Sequence, residues 1–121
     1  MYQVFIAEDE PAALQHLCTI IKIKCPNFQV TGTAENGKDA LEQLGELKPD
    51  ILITDVKMPV MDGFEATRRI RTLSKTIPII ALTAFAFERE KEIAKQCEFT
   101  DYVVKPIDIK ELKKLIAKVL A

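Results

Sequence analysis

The sequence predicts an α/β chain of the doubly wound kind, a parallel five-stranded sheet with helices on both faces. Three observations carry that expectation. Short apolar runs alternate with amphipathic stretches five times along the 121 residues, with no long linker and no internal repeat. Such alternation is satisfied by a parallel sheet whose right-handed crossovers lay helices on both faces. The run Ile51, Leu52, Ile53 is apolar without alternation, as in a strand covered on both sides. Finally, two of the runs stop abruptly on carboxylates, Glu8-Asp9 after the first and Asp55 after the third. Of the two common doubly wound strand orders, 2-1-3-4-5 has its switch point between strands one and three. That order would bring both sets of acids to one crevice.

Each element has its own signal. Val4 to Ala7 is the first apolar run, and Pro11 suits the first turn of a helix, where its missing N–H costs nothing. Leu14, Leu17, Cys18, Ile21 and Cys25 then recur at three- and four-residue spacing up to Pro26. Gln29 to Ala34 reads as the second strand and Asn36-Gly37 as a turn. Ala40, Leu41, Leu44 and Leu47 give a second helix that stops before Pro49. After the third strand, Pro59 and Asp62-Gly63 break strand geometry. Phe64, Ala66, Thr67, Ile70 and Leu73 then form the inner face of a third helix. Pro78 to Leu82 is a fourth buried strand, FEREKEIAKQ a polar fourth helix, and Tyr102-Val103-Val104 a fifth strand. Asp108 caps a last helix with Ile109, Leu112, Leu115, Ile116 and Val119 inward.

Composition narrows the function classes. A chain of 121 residues with 48% hydrophobic and 29% charged residues reads as one domain, 1–121, with a core that needs neither disulfides nor a structural metal. A net charge of −1 gives no electrostatic case for direct nucleic-acid binding or for an acidic membrane surface. The apolar runs are too short to span a bilayer, and the N-terminus runs straight into a strand. Cys18, Cys25 and Cys97 form no CxxC pair and no ligand cluster, which fits free thiols in a reducing cytoplasm. Met58 and Met61 read as loop and gap-filling residues.

In the 2-1-3-4-5 order, Glu8, Asp9, Asp55, Thr83 and Lys105 all leave strand ends at the same crevice. Three carboxylates crowded together repel one another and favour a hard divalent cation with oxygen ligands. Mg²⁺ suits the set, because it takes one or two carboxylates together with phosphate oxygens. A carboxylate can accept a phosphoryl group as an acyl phosphate. Phosphoryl transfer asks mainly for positioning and for cancellation of negative charge. A cation, the Lys105 ammonium and the Thr83 hydroxyl would meet those needs. Singly, Asp55 would read as a strand-end cap, Thr83 as a good strand residue, Lys105 as a solvated amine and Tyr102 as an edge-strand aromatic. All these readings together require a coincidence at every position.

The ordered set Glu8-Asp9, Asp55 with Lys57-Met58-Pro59 and Asp62-Gly63, Thr83-Ala84 and Lys105-Pro106 resembles the receiver domains of two-component response regulators, the chemotaxis-regulator-like family, over the whole chain. The resemblance implies a (βα)₅, flavodoxin-like three-layer sandwich. It implies phosphorelay signalling, with Asp55 phosphorylated by a phosphohistidine of a sensor histidine kinase or a histidine phosphotransfer protein. It implies Mg²⁺ held by Asp9, Asp55 and the backbone carbonyl of Lys57, with Glu8 acting through water. Thr83 and Tyr102 would form the switch, Lys57 and Phe85 would tune dephosphorylation, and the Lys105-Pro106 bond would be cis. Such a domain is no enzyme beyond its own phosphorylation and dephosphorylation. Two positions depart from the pattern. Glu8 stands where Asp is commoner, and Glu98 stands where Gly is usual. A left-handed backbone at a non-glycine residue costs roughly 1–2 kcal/mol, so local rebuilding of that corner is expected.

On the first helix, at about 100° per residue, His16, Ile20 and Ile23 fall opposite Leu14, Leu17 and Ile21. Exposed isoleucines on a polar side suggest a partner patch. The resemblance implies that a sensor kinase docks on this helix and on the loop after the fifth strand, so that His16, Ile20, Ile23, Pro106 and Ile107 would form the docking face. The resemblance also implies a second surface that reports phosphorylation, on the fourth helix, fifth strand and last helix, which would carry Glu88, Glu92, Lys95, Asp101, Lys113 and Lys118 and could serve a homodimer. Rival functions fare less well. A Mg-dependent aspartyl-phosphate phosphatase of the haloacid-dehalogenase type needs an acid two residues after Asp55, where Lys57 stands. A nucleotide binder lacks its glycine-rich loop. A non-phosphorylated receiver-like binding module would be missing one of Asp9, Asp55, Thr83 and Lys105.

Overall fold

The computed structural model describes residues 1–84, 92, 96 and 98–120. In chain order it holds β1 (Tyr2–Ala7), α1 (Pro11–Lys24), β2 (Phe28–Ala34), α2 (Gly37–Leu47), β3 (Ile51–Asp55), α3 (Gly63–Leu73), β4 (Ile79–Thr83), β5 (Asp101–Val104) and a C-terminal helix (Ile109–Val119). The five strands form one sheet in the order β2-β1-β3-β4-β5. Every neighbouring pair is parallel. The predicted fourth helix falls largely outside the described residues, as do Glu88 and Lys95 on it and Phe85 before it.

The strand pleat sorts the core into two layers of contact. Val4 and Ile6 of β1 join Ile51, Ile53, Ile80, Leu82 and Val103 on one face, beneath Leu17, Ile21, Leu112 and Ile116 of α1 and the C-terminal helix. Phe5 and Ala7 join Leu52 and Ile79 on the other face, beneath Ala40, Leu44, Ala66 and Ile70 of α2 and α3. Both faces of β3 and β4 are covered, which is why all five residues of each strand are buried and why Ile51 to Ile53 lack alternation. The result is the expected three-layer sandwich.

Helix starts follow the polar residues that precede them. Asn36 accepts from the Asp39 N–H at 2.9 Å and Asp62 from the Glu65 N–H at 2.9 Å. Asp108 accepts from Lys110 and Glu111. Each satisfies amides that have no partner within the first turn. Asn36-Gly37 is thus a helix cap and first residue, where a free-standing turn was expected.

Three further expectations are corrected. Ile20 is 4% exposed and belongs to the α1-side core. The buried stripe of α1 is wide because the helix packs on the sheet and also borders the C-terminal helix. Leu73, expected on the inner face of α3, is 72% exposed at the helix end. The Glu98 corner is not rebuilt: Glu98 adopts the left-handed conformation at φ 63°.

Candidate functional site

The register of the sheet determines where the polar residues emerge. Ala7 of β1 pairs with Thr54 of β3, so Glu8 and Asp9 leave β1 level with Asp55. The Glu8 N–H still donates to the Ala34 carbonyl at 2.9 Å, which holds its backbone to β2. Asp55 pairs with Leu82, and Thr83 with Val104. The Lys105 N–H donates to the Thr83 carbonyl at 2.7 Å, continuing the ladder one residue past β5. All five residues therefore sit at or just beyond the carboxyl ends of four adjacent strands, where open α/β sheets bind ligands.

Glu8, Asp9 and Asp55 each present a carboxylate oxygen within 4.8 Å of the other two. Glu8 and Asp55 are buried, Asp9 is exposed, and the cluster opens to solvent on the Asp9 side. Lys105 Nζ lies 3.3 Å from Asp55 Oδ2 and 3.4 Å from Glu8 Oε2. The Lys57 N–H donates to Asp55 Oδ1 at 3.4 Å. Thr83 is buried at the end of β4, and Tyr102 is partly buried on the edge strand β5. The Lys105-Pro106 peptide is cis, as the resemblance implied.

The electrostatics follow from this crowding. Burial raises the Glu8 carboxyl to about 7, repulsion from Asp55 adds to the rise, and Lys105 only partly counters it. For Lys105, burial lowers the pKa, but the Asp55 and Glu8 carboxylates outweigh it and the net shift is upward. The ammonium therefore stays charged. An all-oxygen set of three carboxylates, incompletely neutralised by one ammonium, fits a hard divalent cation such as Mg²⁺. The same oxygens offer nothing to a soft metal.

The residues expected on the docking face divide. His16 is exposed and Ile23 is 65% exposed, whereas Ile20 is buried. Pro106 is exposed and Ile107 packs partly against the α1-side core. Met58 and Met61 pack against the α2/α3 core, as gap-filling residues would. Sequence reasoning missed Arg71, a buried cation of α3. Its Nε donates to the Glu98 carbonyl at 2.9 Å and its Nη1 to the Ile77 carbonyl at 2.7 Å. An Arg in an otherwise apolar helix phase, one residue after Ile70, was the available signal.

Comparison with known proteins agrees with this geometry. A family model, the response regulator receiver domain, matches residues 4–117. An uncharacterised 14.6 kDa protein of Leptolyngbya boryana is 45% identical over 93% of this chain and 86% of its own length. Protein PilH of Pseudomonas aeruginosa is 34% identical over 100% of this chain and 99% of its own. Among solved structures, the receiver domain of sensor histidine kinase PA1611 from Pseudomonas aeruginosa, with a magnesium ion coordinated in its active-site cleft, superposes with a TM-score of 0.88. It is 28% identical, covering 98% of this chain and 97% of that one. The chain belongs to the response regulator receiver domains of two-component signal transduction. It spans 25 to 42% of the length of three other curated regulators that it matches. No helix among the described residues is long and apolar enough to cross a membrane.

Proposed function

We propose that Asp55 accepts a phosphoryl group from a phosphohistidine of a sensor histidine kinase or a histidine phosphotransfer protein. One observation carries the reading: a buried Asp55 carboxylate at a strand end, 3.3 Å from the Lys105 ammonium and within 4.8 Å of carboxylate oxygens of Glu8 and Asp9. Asp9, Asp55 and the Lys57 carbonyl would hold Mg²⁺, with Glu8 behind them. Bound there, the ion supplies charge neutralisation for the phosphoryl oxygens. The magnesium ion in the active-site cleft of the PA1611 receiver supports a magnesium ion in this one.

The chain's own groups do the rest. An Asp55 oxygen attacks phosphorus, the bond from phosphorus to the histidine nitrogen breaks, and the imidazole leaves with its electron pair. Lys105 presents its ammonium to the incoming oxygens, and Thr83 offers its hydroxyl from the next strand. The fixed donors lower the cost of gathering charge, because they need not reorganise during transfer. After transfer Thr83 turns toward the phosphoryl group and Tyr102 follows inward, which changes the surface around β5. Asp101, Tyr102, Lys113 and Lys118 lie on that surface, and a homodimer through it is one way to report the change. Lys57, two residues after Asp55, and Phe85, two residues after Thr83 in the sequence, tune dephosphorylation. The chemistry is confined to the chain itself, with no separate substrate turned over.

Incubation with a phosphorylated histidine phosphotransfer protein and Mg²⁺ should transfer label to the wild-type chain. The label should be hydroxylamine-labile and absent from Asp55→Asn. Label on a histidine or serine, or label retained in Asp55→Asn, would assign the acceptor elsewhere.

A further inference from the structure

We propose that Gly37, at the start of α2, is a positioning residue for the Asp55 site, fastening the loop between β3 and α3 that carries Lys57. This rests on the metal-site reading above. Gly37 is the first residue of α2, so its N–H lacks an acceptor within the helix. It donates instead to the Met61 carbonyl at 2.7 Å, across from one element to another. A Cβ at Gly37 would overlap that same carbonyl oxygen and stand 2.9 Å from both the Asp62 carbonyl oxygen and Ala66 Cβ. The φ of Gly37 is not positive. Glycine is required here for close approach, and two of the three obstacles are backbone atoms of the loop.

The loop needs such an anchor. At its base, the Gly63 N–H donates to the Val56 carbonyl at 3.0 Å, and Gly63 packs so closely that a Cβ there would overlap the Asp55 carbonyl oxygen. Near its tip, the Met61 N–H donates to the Pro59 carbonyl at 2.6 Å, a three-residue turn around Val60, whose φ is 64°. A β-branched residue disfavours that conformation, so local preference does not hold the loop in shape. Such a conformation persists where its surroundings over-determine it. Lys57 lies between the base and the fastened tip. The Gly37 hydrogen bond therefore restricts where the Lys57 carbonyl and the Asp55 carboxylate can sit relative to Glu8 and Asp9.

The test compares Mg²⁺ affinity by titration calorimetry for the wild-type chain, Gly37→Ala and Gly45→Ala. Gly45 lies on the same helix with open space around it, so its variant controls for altered helix propensity. Groups hydrogen-bonded directly to a metal's ligands typically govern about 10–100-fold in metal affinity. Gly37 acts one step further out, through the loop, so Gly37→Ala should weaken Mg²⁺ binding by about tenfold, the lower end of that range, while Gly45→Ala binds as wild type. A second measurement needs no variant. By thermodynamic reciprocity, bound Mg²⁺ must strengthen whatever strengthens its own binding. The Gly37 amide should therefore exchange its hydrogen more slowly when the wild-type protein is saturated with Mg²⁺. Wild-type affinity in a folded Gly37→Ala protein, or Gly37 exchange indifferent to Mg²⁺, would overturn the role of Gly37 alone. Failure of the wild-type chain to bind Mg²⁺ would overturn the metal site and this role together.

Discussion

Glu8 responds to pH because its folded carboxyl titrates near 7 while an unperturbed one titrates near 4.5. Between those values the folded chain holds a proton that the unfolded chain releases. The stability from that proton is complete below about pH 4.5 and disappears as the pH rises through 7. The metal-free protein should therefore melt at a lower temperature at pH 8 than at pH 5, and Glu8→Gln should flatten that dependence. Mg²⁺ competes with the same proton, so its stabilising effect should grow from pH 5 to pH 8. Calorimetric melting with and without Mg²⁺ checks both statements. A Mg²⁺ effect independent of pH would place Glu8 outside the metal's influence. That Glu8, Asp9, Asp55, Thr83 and Lys105 could be picked out at all rests on strand ends. A buried parallel strand marks its own end where polar residues begin, and the topology then brings those ends together.

Elements were legible where one local cause decides them. Asp108 announced a helix start because a cap acts within one turn. Features that depend on a second element were not legible. The burial of Ile20 depends on the neighbouring C-terminal helix, and the strained turn at Val60 depends on backbone contacts with α2. Glu98 is another such case: its left-handed conformation is accompanied by the Arg71 bond to its own carbonyl. Arg71 thus ties the end of α3 to the start of β4 and to the approach to β5. Burial lowers its pKa while the Glu98 charge partly restores it. Arg71→Met removes the donors and leaves these carbonyls unpaired. It should cost roughly 2–3 kcal/mol in urea unfolding, whereas a loss within 0.5 kcal/mol, about that of an ordinary surface change, would show that these bonds contribute little.

At the scale of the whole molecule, the acids and Lys105 lie at the carboxyl ends of the strands, and α1 shows solvent a face holding His16 and Ile23. If that face receives the phosphodonor protein, Ile23→Glu should slow transfer from a histidine phosphotransfer protein. It should leave labelling by acetyl phosphate intact, with stability changed by no more than about 0.5 kcal/mol. Ile20→Glu places a charge in the core and should cost about 4 kcal/mol or more, so its loss of transfer would report unfolding. Equal transfer rates for Ile23→Glu and wild type would remove Ile23 from the docking face.

The proposed signalling role depends on Asp55 being the phosphoryl acceptor. Intact mass after incubation with acetyl phosphate and Mg²⁺ tests that with one reagent and no partner. The wild-type chain should gain the mass of one phosphoryl group, and Asp55→Ala should gain none. An unmodified wild-type chain, or the same gain in Asp55→Ala, would contradict the account.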